Sequence, residues 1–230
     1  MPVLELERRR TPARERPRRD VAARGAGRAL DVLVAALGLL LISALLLLIA
    51  AAIRLDSRGP AIFRQVRRGR DGREFTIWKF RTMQAGTDPA RHKEYVTRLI
   101  NGDDRAVIRE GRPLYKLAVD DRITRLGRIL RAFSLDELPQ LVNVLRGHMS
   151  LVGPRPLNSY EVERLHERWL ARMSVKPGMT GLWQVSGRNQ RTYTEMVELD
   201  LEYVRRKSLG LDLLILLKTP FTVITRKGAA

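Results

Sequence analysis

The sequence predicts an α+β fold that is mainly helical, with one N-terminal membrane helix or re-entrant helical hairpin, a small β-hairpin and amphipathic helices at the membrane surface. Three observations support this prediction. The 230 residues can bury one core, so we expect one globular domain and a membrane element. An uncharged apolar run covers Val32–Ile53, and an Asp71-Gly72 hairpin signal separates two strand-like stretches.

The composition excludes some classes of protein. The chain has no cysteine, which rules out a disulfide framework and thiol chemistry and fits a reducing compartment. Its formal net charge of +18 favours anionic partners, which are nucleic acid, phospholipid headgroups or phosphorylated small molecules. The apolar run decides among these, and we expect membrane lipids and anionic small molecules as partners, and no nucleic acid. A homo-oligomer is left open.

The apolar run Val32–Ile53 is long enough to cross a bilayer. As a helix it would measure about 33 Å, at about 1.5 Å per residue, against a hydrocarbon core of about 30 Å. A buried helix of a soluble protein is a weaker interpretation, because such helices usually carry a polar stripe. A cleaved signal peptide is also weaker, because the run exceeds the usual stretch of about 7–15 apolar residues.

Both flanks of the run are basic, which bears on its orientation. Residues 1–30 hold nine Arg against four acids, and residues 54–81 hold nine Lys or Arg against three acids. A straight span would carry one of these flanks across the membrane, against the cytoplasmic bias of Lys and Arg. We therefore favour a re-entrant helix, with a disordered basic arm at 1–30, the membrane helix at 31–54 opened by Asp31, and a cytoplasmic membrane-associated domain at 55–225. A nucleic-acid-binding arm is the competing interpretation of 1–30.

The remaining elements follow from periodicity and turn signals. Strands are predicted at Ala61–Val66 and Glu74–Arg81. Residues 84–113 and Lys176–Arg191 are predicted as loops, the first with a short helix near His92–Ile100. Further helices are predicted at Ile123–Leu130, Asp136–Leu145, Tyr160–Met173, 192–207 and Leu209–Ile224, the last of them lying in the membrane interface.

The segment Ser134–Gln140 carries two adjacent carboxylates, Asp136 and Glu137, next to Pro139. Ser134 and Glu137 fit a capping box, a purely structural role. Pro139 argues against that role, because it would then occupy the fifth helical position and remove a needed donor. If Asp136 is the N-cap, Pro139 falls in the first turn, and both carboxylates stay ionised at the positive end of the helix. An ionised carboxylate can attack an electrophilic phosphorus or bind a divalent cation.

Basic side chains near these carboxylates suit phosphate binding. Arg131 lies just upstream, Arg155 lies in the rigid turn Gly153–Pro156, and Lys79 and Arg81 alternate onto one face of a strand as an anion clamp. A solvated or lipid-facing charge remains the alternative for any single arginine. The three histidines lack metal-ligand spacing, so a metal should be a hard cation, most simply Mg²⁺, held by carboxylates and phosphate oxygens.

The chain closely resembles the bacterial sugar transferase family, the monotopic polyprenyl-phosphate hexose-1-phosphate transferases, from about Arg28 to Thr225. The resemblance is carried by several long motifs in order. They are Gly59-Pro60 with Phe63-Arg64-Gln65, Lys79-Phe80-Arg81-Thr82-Met83, Ser134–Gln140, Met149–Leu157, Lys176–Gly181, Gln184 with Gly187-Arg188-Asn189, and Glu198-Leu199-Asp200 with Tyr203.

The resemblance implies a mechanism. Asp136 would attack the sugar-bearing phosphate of a UDP-sugar and expel UMP, forming a phosphosugar-aspartyl intermediate that polyprenyl phosphate then resolves. Glu137 would bind Mg²⁺ and help to activate the lipid phosphate. Lys79 and Asp200 match positions of the family's active site. Arg131 and Arg155 match arginines near its phosphate-binding region, and Gln184 and Arg188 lie in its loop close to the nucleotide.

One position departs from the family, and two other functions stay open. The family carries Ser-Pro at the middle of its apolar helix, where this chain has Ser43-Ala44, so a straight span becomes an alternative to re-entry. The chain resembles the compact form of the family. The other functions are a non-catalytic, membrane-tethered protein that binds polyanions, and a membrane glycosyltransferase without a covalent intermediate.

Overall fold

The computed structural model describes residues 18–84, 86–87, 90–100, 108–109, 112–113, 121–188 and 191–225. Residues 1–17 of the predicted arm and Asn189 of the loop motif lie outside them. The elements are α1 (Arg18–Leu41), α2 (Ser43–Asp56), β1 (Ile62–Arg68), β2 (Glu74–Phe80), α3 (Ala90–Ile100), β3 (Ile108–Arg109), β4 (Arg112–Pro113), α4 (Arg125–Ala132), α5 (Gln140–Leu145), β5 (Ser150–Val152), α6 (Ser159–Val162), β6 (Gly178–Thr180), α7 (Leu182–Val185), α8 (Tyr193–Arg206) and α9 (Leu209–Ile224). Short 3₁₀ helices cover Arg70–Gly72, Leu135–Glu137 and Glu167–Ser174. The prediction of a mainly helical chain with a small β-hairpin is confirmed.

The apolar run folds as two helices that meet at a bend of 63°. Ile42 leaves helical geometry (φ −99°, ψ 8°), and the Ser43 hydroxyl donates to the carbonyl of Leu40 at 2.9 Å. A serine that bonds to the preceding turn in this way bends a helix, so the break needs no proline. Within the described residues, no single helix is long and apolar enough to cross a membrane. The bent pair, taken together, has the necessary length and apolar composition.

Asp31 does not open the helix, because α1 is already helical at Arg18, and the bounds 31–54 of the membrane segment stay a prediction. Asp31 is buried within α1 and accepts hydrogen bonds from the Ser150 hydroxyl and from the backbone N–H of Leu151, the latter at 2.8 Å. Arg28 donates to the last carbonyls of α5 at 2.6 and 2.9 Å and thereby satisfies that helix end. Tertiary contacts thus hold the polar part of α1 on the domain.

The predicted β-hairpin is confirmed. β1 and β2 pair antiparallel, with Phe63 opposite Lys79. At the turn, Asp71 (φ 56°) and Gly72 (φ 72°) both adopt left-handed backbone, which is what an Asp-Gly hairpin turn requires. β2 ends at Phe80, so Arg81 follows the strand.

Two predictions in the C-terminal half are wrong in extent. The predicted helix Tyr160–Met173 is divided into α6 and the 3₁₀ helix Glu167–Ser174. The predicted loop Lys176–Arg191 contains β6 and α7, and β6 pairs parallel with β5. A Cβ on Gly178 would lie 2.0 Å from the backbone nitrogen of Gly153, so the glycines allow two strands to approach closely. The predicted helix at 192–207 is confirmed as α8.

Three apolar clusters place the helices around the hairpin. The first joins α3 to α7 and α8, and the second joins α1, β2, α5, β5 and α9. The third joins Ile49 and Ile53 of α2 to Phe80 and Leu130. The opposite face of α2 is not covered, since Leu47 is 72% exposed.

Candidate active site

The two adjacent carboxylates lie in the 3₁₀ turn Leu135–Glu137, between α4 and α5. Ser134 before it has a left-handed backbone (φ 55°, ψ 22°), a strained conformation for a residue with a side chain. Its side chain makes no capping hydrogen bond, so the capping box does not form. The helix α5 begins after Pro139, where the missing N–H costs little. The turn therefore presents both carboxylates outside regular helix.

Lys79 of β2 reaches this turn. Its Nζ lies 2.9 Å from Oε1 of Glu137, and both side chains remain partly open to solvent, at 25% and 38% exposure. An exposed ion pair of this kind adds little to stability. Because both partners remain accessible, the pair can serve binding or chemistry.

Arg188 lies near the same carboxylate. It adopts a left-handed backbone (φ 48°) after Gly187 (φ 120°), so the chain turns sharply there. Burial lowers the pKa of the Arg188 guanidinium, and the negative charge of Glu137 opposes that shift. On α7 of the same segment, the Gln184 Oε1 is buried and has no hydrogen-bond partner among the described residues. The segment thus brings the Arg188 cation toward Glu137.

Arg131 is held in place by the chain that follows β2. Its Nε donates to Oγ1 of Thr82 at 3.0 Å, and the backbone N–H of Thr124 donates to the carbonyl of Thr82 at 3.1 Å. The helix α4 packs closely here, because a Cβ on Gly127 would lie 2.1 Å from the Thr82 oxygen. α4 ends at Ala132, so Arg131 is presented just before the carboxylate turn.

The Arg81 side chain contacts the end of α2, whereas Lys79 contacts Glu137. Its Nη2 donates to the carbonyl and hydroxyl oxygens of Ser57 at 2.6 and 3.0 Å, and to the carbonyl of Ile53 at 3.4 Å. The side chain is buried and satisfies the C-terminal end of α2. The structure therefore does not bring Lys79 and Arg81 together as a clamp, because the strand ends before Arg81 and alternation no longer applies.

Arg155 belongs to a buried ion network around Glu161. The Arg155 Nη1 lies 3.1 Å from Glu161 Oε1, and Arg67 Nη1 lies 3.6 Å from Glu161 Oε2. The backbone N–H of Asn158 also donates to Glu161, at 2.7 Å. Burial would raise the pKa of Glu161, but the two arginines and this amide outweigh it and hold the pKa below its usual value. The network fixes the Gly153–Pro156 turn.

Asp200 is fully buried and forms an ion pair with Arg172. Burial raises the pKa of Asp200 to about 6, although the Arg172 charge favours the ionised form. Arg172 also donates to the carbonyl of Arg155 at 3.5 Å, so this pair adjoins the Glu161 network. The buried Asp200 carboxylate can therefore position Arg172 and the groups around it.

Sequence reasoning did not identify three members of these networks, Arg67, Glu161 and Arg172. One signal was available, because Asn158 and Glu161 form a capping box whose spacing is visible in the sequence. Arg172 and Arg67 carry no such local signal, since their partners come from distant segments.

The carboxylate turn has a donor set that suits Mg²⁺. Within the described part of the chain, no group of three or more His, Asp or Glu side chains gathers as a complete metal cage. Mg²⁺ is commonly held by one or two carboxylates together with substrate phosphates and water. Asp136 and Glu137, adjacent and half-buried, supply that smaller set.

Comparisons with known proteins show the family to which the chain belongs. The family described as "Bacterial sugar transferase" matches residues 22–226. The chain is 46% identical over 213 residues to the "UDP-glucose:undecaprenyl-phosphate glucose-1-phosphate transferase" of Caulobacter vibrioides, covering 88% of this chain and 71% of that protein. It is 41% identical over 204 residues to the "Exopolysaccharide production protein ExoY" of Rhizobium meliloti, covering 89% of this chain and 88% of that protein.

A third relative is considerably longer. The chain is 42% identical over 202 residues to the "Undecaprenyl-phosphate galactose phosphotransferase" of Salmonella typhimurium, covering 88% of this chain but 41% of that protein. The chain thus spans about two fifths of some relatives and most of others. A family match over nearly the whole chain, with relatives at this level of identity, shows that the chain belongs to the bacterial sugar transferase family.

Proposed function

We propose that this protein transfers a sugar-1-phosphate from a UDP-sugar to polyprenyl phosphate, with undecaprenyl phosphate as the natural acceptor, and releases UMP. The observation that carries the proposal is the Asp136–Glu137 pair, held in a strained turn with Lys79 on Glu137 and Arg188 nearby. The names of the Caulobacter and Salmonella relatives describe this class of reaction, with glucose and galactose. The reaction would be the first membrane step in assembling an exopolysaccharide, O-antigen or other glycoconjugate.

In the first step, a carboxylate oxygen of Asp136 attacks the phosphorus that bears the sugar. The bond from that phosphorus to the bridging oxygen breaks, and UMP leaves with the electron pair. The product is a phosphosugar-aspartyl intermediate. Transferring a phosphoryl group requires neutralisation of the charge on its oxygens, and Lys79, Arg131 and Arg188 are the cations that we assign to this task.

In the second step, an oxygen of the polyprenyl phosphate attacks the same phosphorus. The acyl phosphate bond breaks, and the carboxylate of Asp136 is restored. The product is a polyprenyl-diphospho-sugar. We assign Glu137 to orienting the incoming lipid phosphate, and Gln184 and Arg155 to the walls of the donor site.

Mg²⁺ is the metal that we propose for the site, held by Glu137 together with substrate phosphate oxygens. When bound, it would neutralise charge on the diphosphate and make UMP a better leaving group. Glu137 would then share its carboxylate between the metal and Lys79.

We place the site at the cytoplasmic face of the bacterial plasma membrane, with the bent pair α1–α2 as a re-entrant element. Several large side chains of this pair and of α9 are exposed, which suits contact with lipid. They include Leu40, Leu41, Leu47, Leu48, Leu55, Leu217 and Phe221. We keep residues 55–225 as the catalytic domain, with 31–54 as its membrane element and 1–30 as a basic arm on the anionic surface. This location would bring the enzyme to its lipid substrate.

The covalent step is tested by trapping. Enzyme in membrane mimetic is incubated with a UDP-sugar labelled in the sugar, without acceptor lipid, and the adduct is mapped by mass spectrometry while the released nucleotide is identified. We expect the label on Asp136 and UMP in solution, and Asp136→Asn should abolish both. Asp71→Asn, an exposed acid on the hairpin turn, is the matched control and should behave as wild type.

Other outcomes would point to the alternatives. Release of UDP without an adduct would indicate a glycosyltransferase with no covalent intermediate. Turnover of Asp136→Asn near the wild-type rate would refute the assignment of the nucleophile. Absence of nucleotide release with every UDP-sugar of a panel would favour a non-catalytic, polyanion-binding protein.

A further inference from the structure

A polar cavity that is open to solvent lies between the end of α2 and the beginning of α4. Its volume is about 520 Å³, within the range of about 300–1,000 Å³ typical of small-molecule sites. The residues that line it come from three separate segments and include none of those assigned above to sugar transfer. They are Asp56, Ser57, Arg58, Gln84, Ile123, Thr124, Arg125 and Arg128.

The lining of the cavity carries a net positive charge, which favours an anionic ligand. Arg58, Arg125 and Arg128 line it against the single carboxylate of Asp56, and none of the three arginines forms an ion pair with a described residue. A guanidinium group binds two oxygens of an anion at once, so three of them around one cavity suit a phosphate, with its several oxygens, better than a neutral sugar.

Two hydroxyl groups add to this character. Ser57 Oγ accepts from Arg81 at 3.0 Å, and Thr124 Oγ1 accepts from the backbone N–H of Gly127 at 2.9 Å. Because each oxygen is already used as an acceptor, its own hydrogen can be donated to a ligand.

The position of the cavity indicates where the phosphate comes from. Asp56 is the last residue of α2, and Leu55 beside it is 89% exposed. If the exposed face of α2 lies among acyl chains, the cavity opens at the depth of the lipid headgroups. The lining contains no aromatic ring on which a nucleotide base could stack, and Ile123 is its one apolar side chain.

We propose that this cavity binds the headgroup phosphodiester of an anionic phospholipid, with the diester on the three arginines. The inference rests on the proposed function only for the membrane location. A lipid bound here would hold α4 against the membrane surface. The same helix carries Arg131, which donates to Thr82 and lies just before the carboxylate turn.

The test compares two double variants of the full chain that lose the same charge. Arg125→Gln with Arg128→Gln removes two cavity arginines, whereas Arg98→Gln with Arg164→Gln removes two arginines of α3 and of the residues after α6. Binding is measured by co-sedimentation with phosphatidylcholine vesicles that contain or lack phosphatidylglycerol. We expect the cavity variant to lose about tenfold or more of its preference for phosphatidylglycerol, at about 1 kcal/mol per basic residue near the surface, and the control less than about threefold.

Two further arms separate the possible sources of the phosphate. Asp56→Asn should strengthen binding to phosphatidylglycerol vesicles, because it removes the negative charge of the cavity. Inorganic phosphate at the concentration of the vesicle lipid should not remove the preference for phosphatidylglycerol. Equal losses in the two double variants, or weaker binding of Asp56→Asn, would overturn the proposal, and so would loss of this preference in inorganic phosphate, which would indicate a free-phosphate site. Because these readouts do not use turnover, Asp136→Asn should bind as wild type, and failure of the sugar-transfer proposal would be seen separately.

Discussion

The contact between Lys79 and Glu137 links the hairpin to the carboxylate turn. Lys79 is the penultimate residue of β2, and its alternation in the strand directs it to the turn, while Arg81 beyond the strand end caps α2. Two cations that look equivalent in the sequence thus have different environments. One is half-buried at the carboxylates, and the other is buried against backbone oxygens, where it supports the bent helix pair.

Lys79→Met tests the role of the ammonium group. We expect the rate of UMP release to fall about 100-fold or more, because removing one preorganised group that stabilises developing charge typically costs about 10²–10³ in rate. Stability should change little, since the ion pair is partly exposed. Lys93→Met removes the same charge from the exposed surface of α3 and should leave the rate unchanged. Equal rates for Lys79→Met and wild type would remove Lys79 from the mechanism.

At the scale of elements, the parts that local signals determine were predictable, and the parts set by distant contacts were not. The hairpin and α8 follow from an Asp-Gly turn and a Thr192–Glu195 capping box, and both are confirmed. The placement of Asp31 within α1 involves its hydrogen bonds to β5, and β6 depends on glycines packing against a strand far away in sequence. The same reason explains why the carboxylate pair was found from the sequence, whereas Arg172, buried against Asp200, was not.

The packing of α4 against the chain after β2 predicts the effect of a single methyl group. Gly127→Ala places a Cβ 2.1 Å from the Thr82 carbonyl oxygen, which is far too close, so α4 must shift. We expect a loss of about 1–3 kcal/mol in the free energy of unfolding, together with slower turnover because Arg131 moves with α4. Gly210→Ala in α9 is the control, since nothing lies within 4 Å of its Cβ, and it should stabilise by about 0.5–1 kcal/mol. Denaturant unfolding and UMP release measure both effects, and equal stabilities would contradict the packing argument.

The buried Glu161 network predicts how stability depends on pH. Because the folded-state pKa of Glu161 lies below its ordinary value of 4.5, the stability it contributes is complete above about pH 4.5 and is lost as the pH falls through the folded-state pKa. Glu161→Gln should cost about 3–5 kcal/mol at neutral pH by leaving buried arginines unpaired, and its stability should fall less steeply in acid. Glu198→Gln, which breaks an exposed pair with Arg168, should cost about 0–1 kcal/mol. Unfolding curves at several pH values test this, and parallel acid limbs for Glu161→Gln and wild type would contradict it.

At the scale of the whole molecule, apolar surface and positive charge occur on the same segments. α2 has one face packed on Phe80 and Leu130 and an opposite face of exposed leucines, and basic residues flank the bent pair on both sides. The third apolar cluster places the end of α2 beside the strand that carries Lys79. An enzyme that joins a water-soluble nucleotide sugar to a lipid phosphate needs both kinds of surface close to its reacting groups, and this fold provides them.

The bend of 63° at Ile42 makes a prediction about topology. The limb Ser43–Asp56 has 14 residues and is about 21 Å long at 1.5 Å per residue, too short to cross a hydrocarbon core of about 30 Å. If the pair re-enters, both basic flanks stay on the cytoplasmic face, which avoids moving nine arginines across the membrane.

Because the chain has no cysteine, single substitutions report directly on the side of the membrane. Arg10→Cys and Arg70→Cys are each treated with a membrane-impermeant maleimide in right-side-out and in inverted vesicles. We expect both positions to react only in inverted vesicles, since both flanks then face the cytoplasm. A cysteine blocked beforehand with a permeant maleimide controls for incomplete sealing. Reaction of the two positions from opposite sides would mean that the bent pair crosses the bilayer as a broken span, with the Arg-rich arm outside.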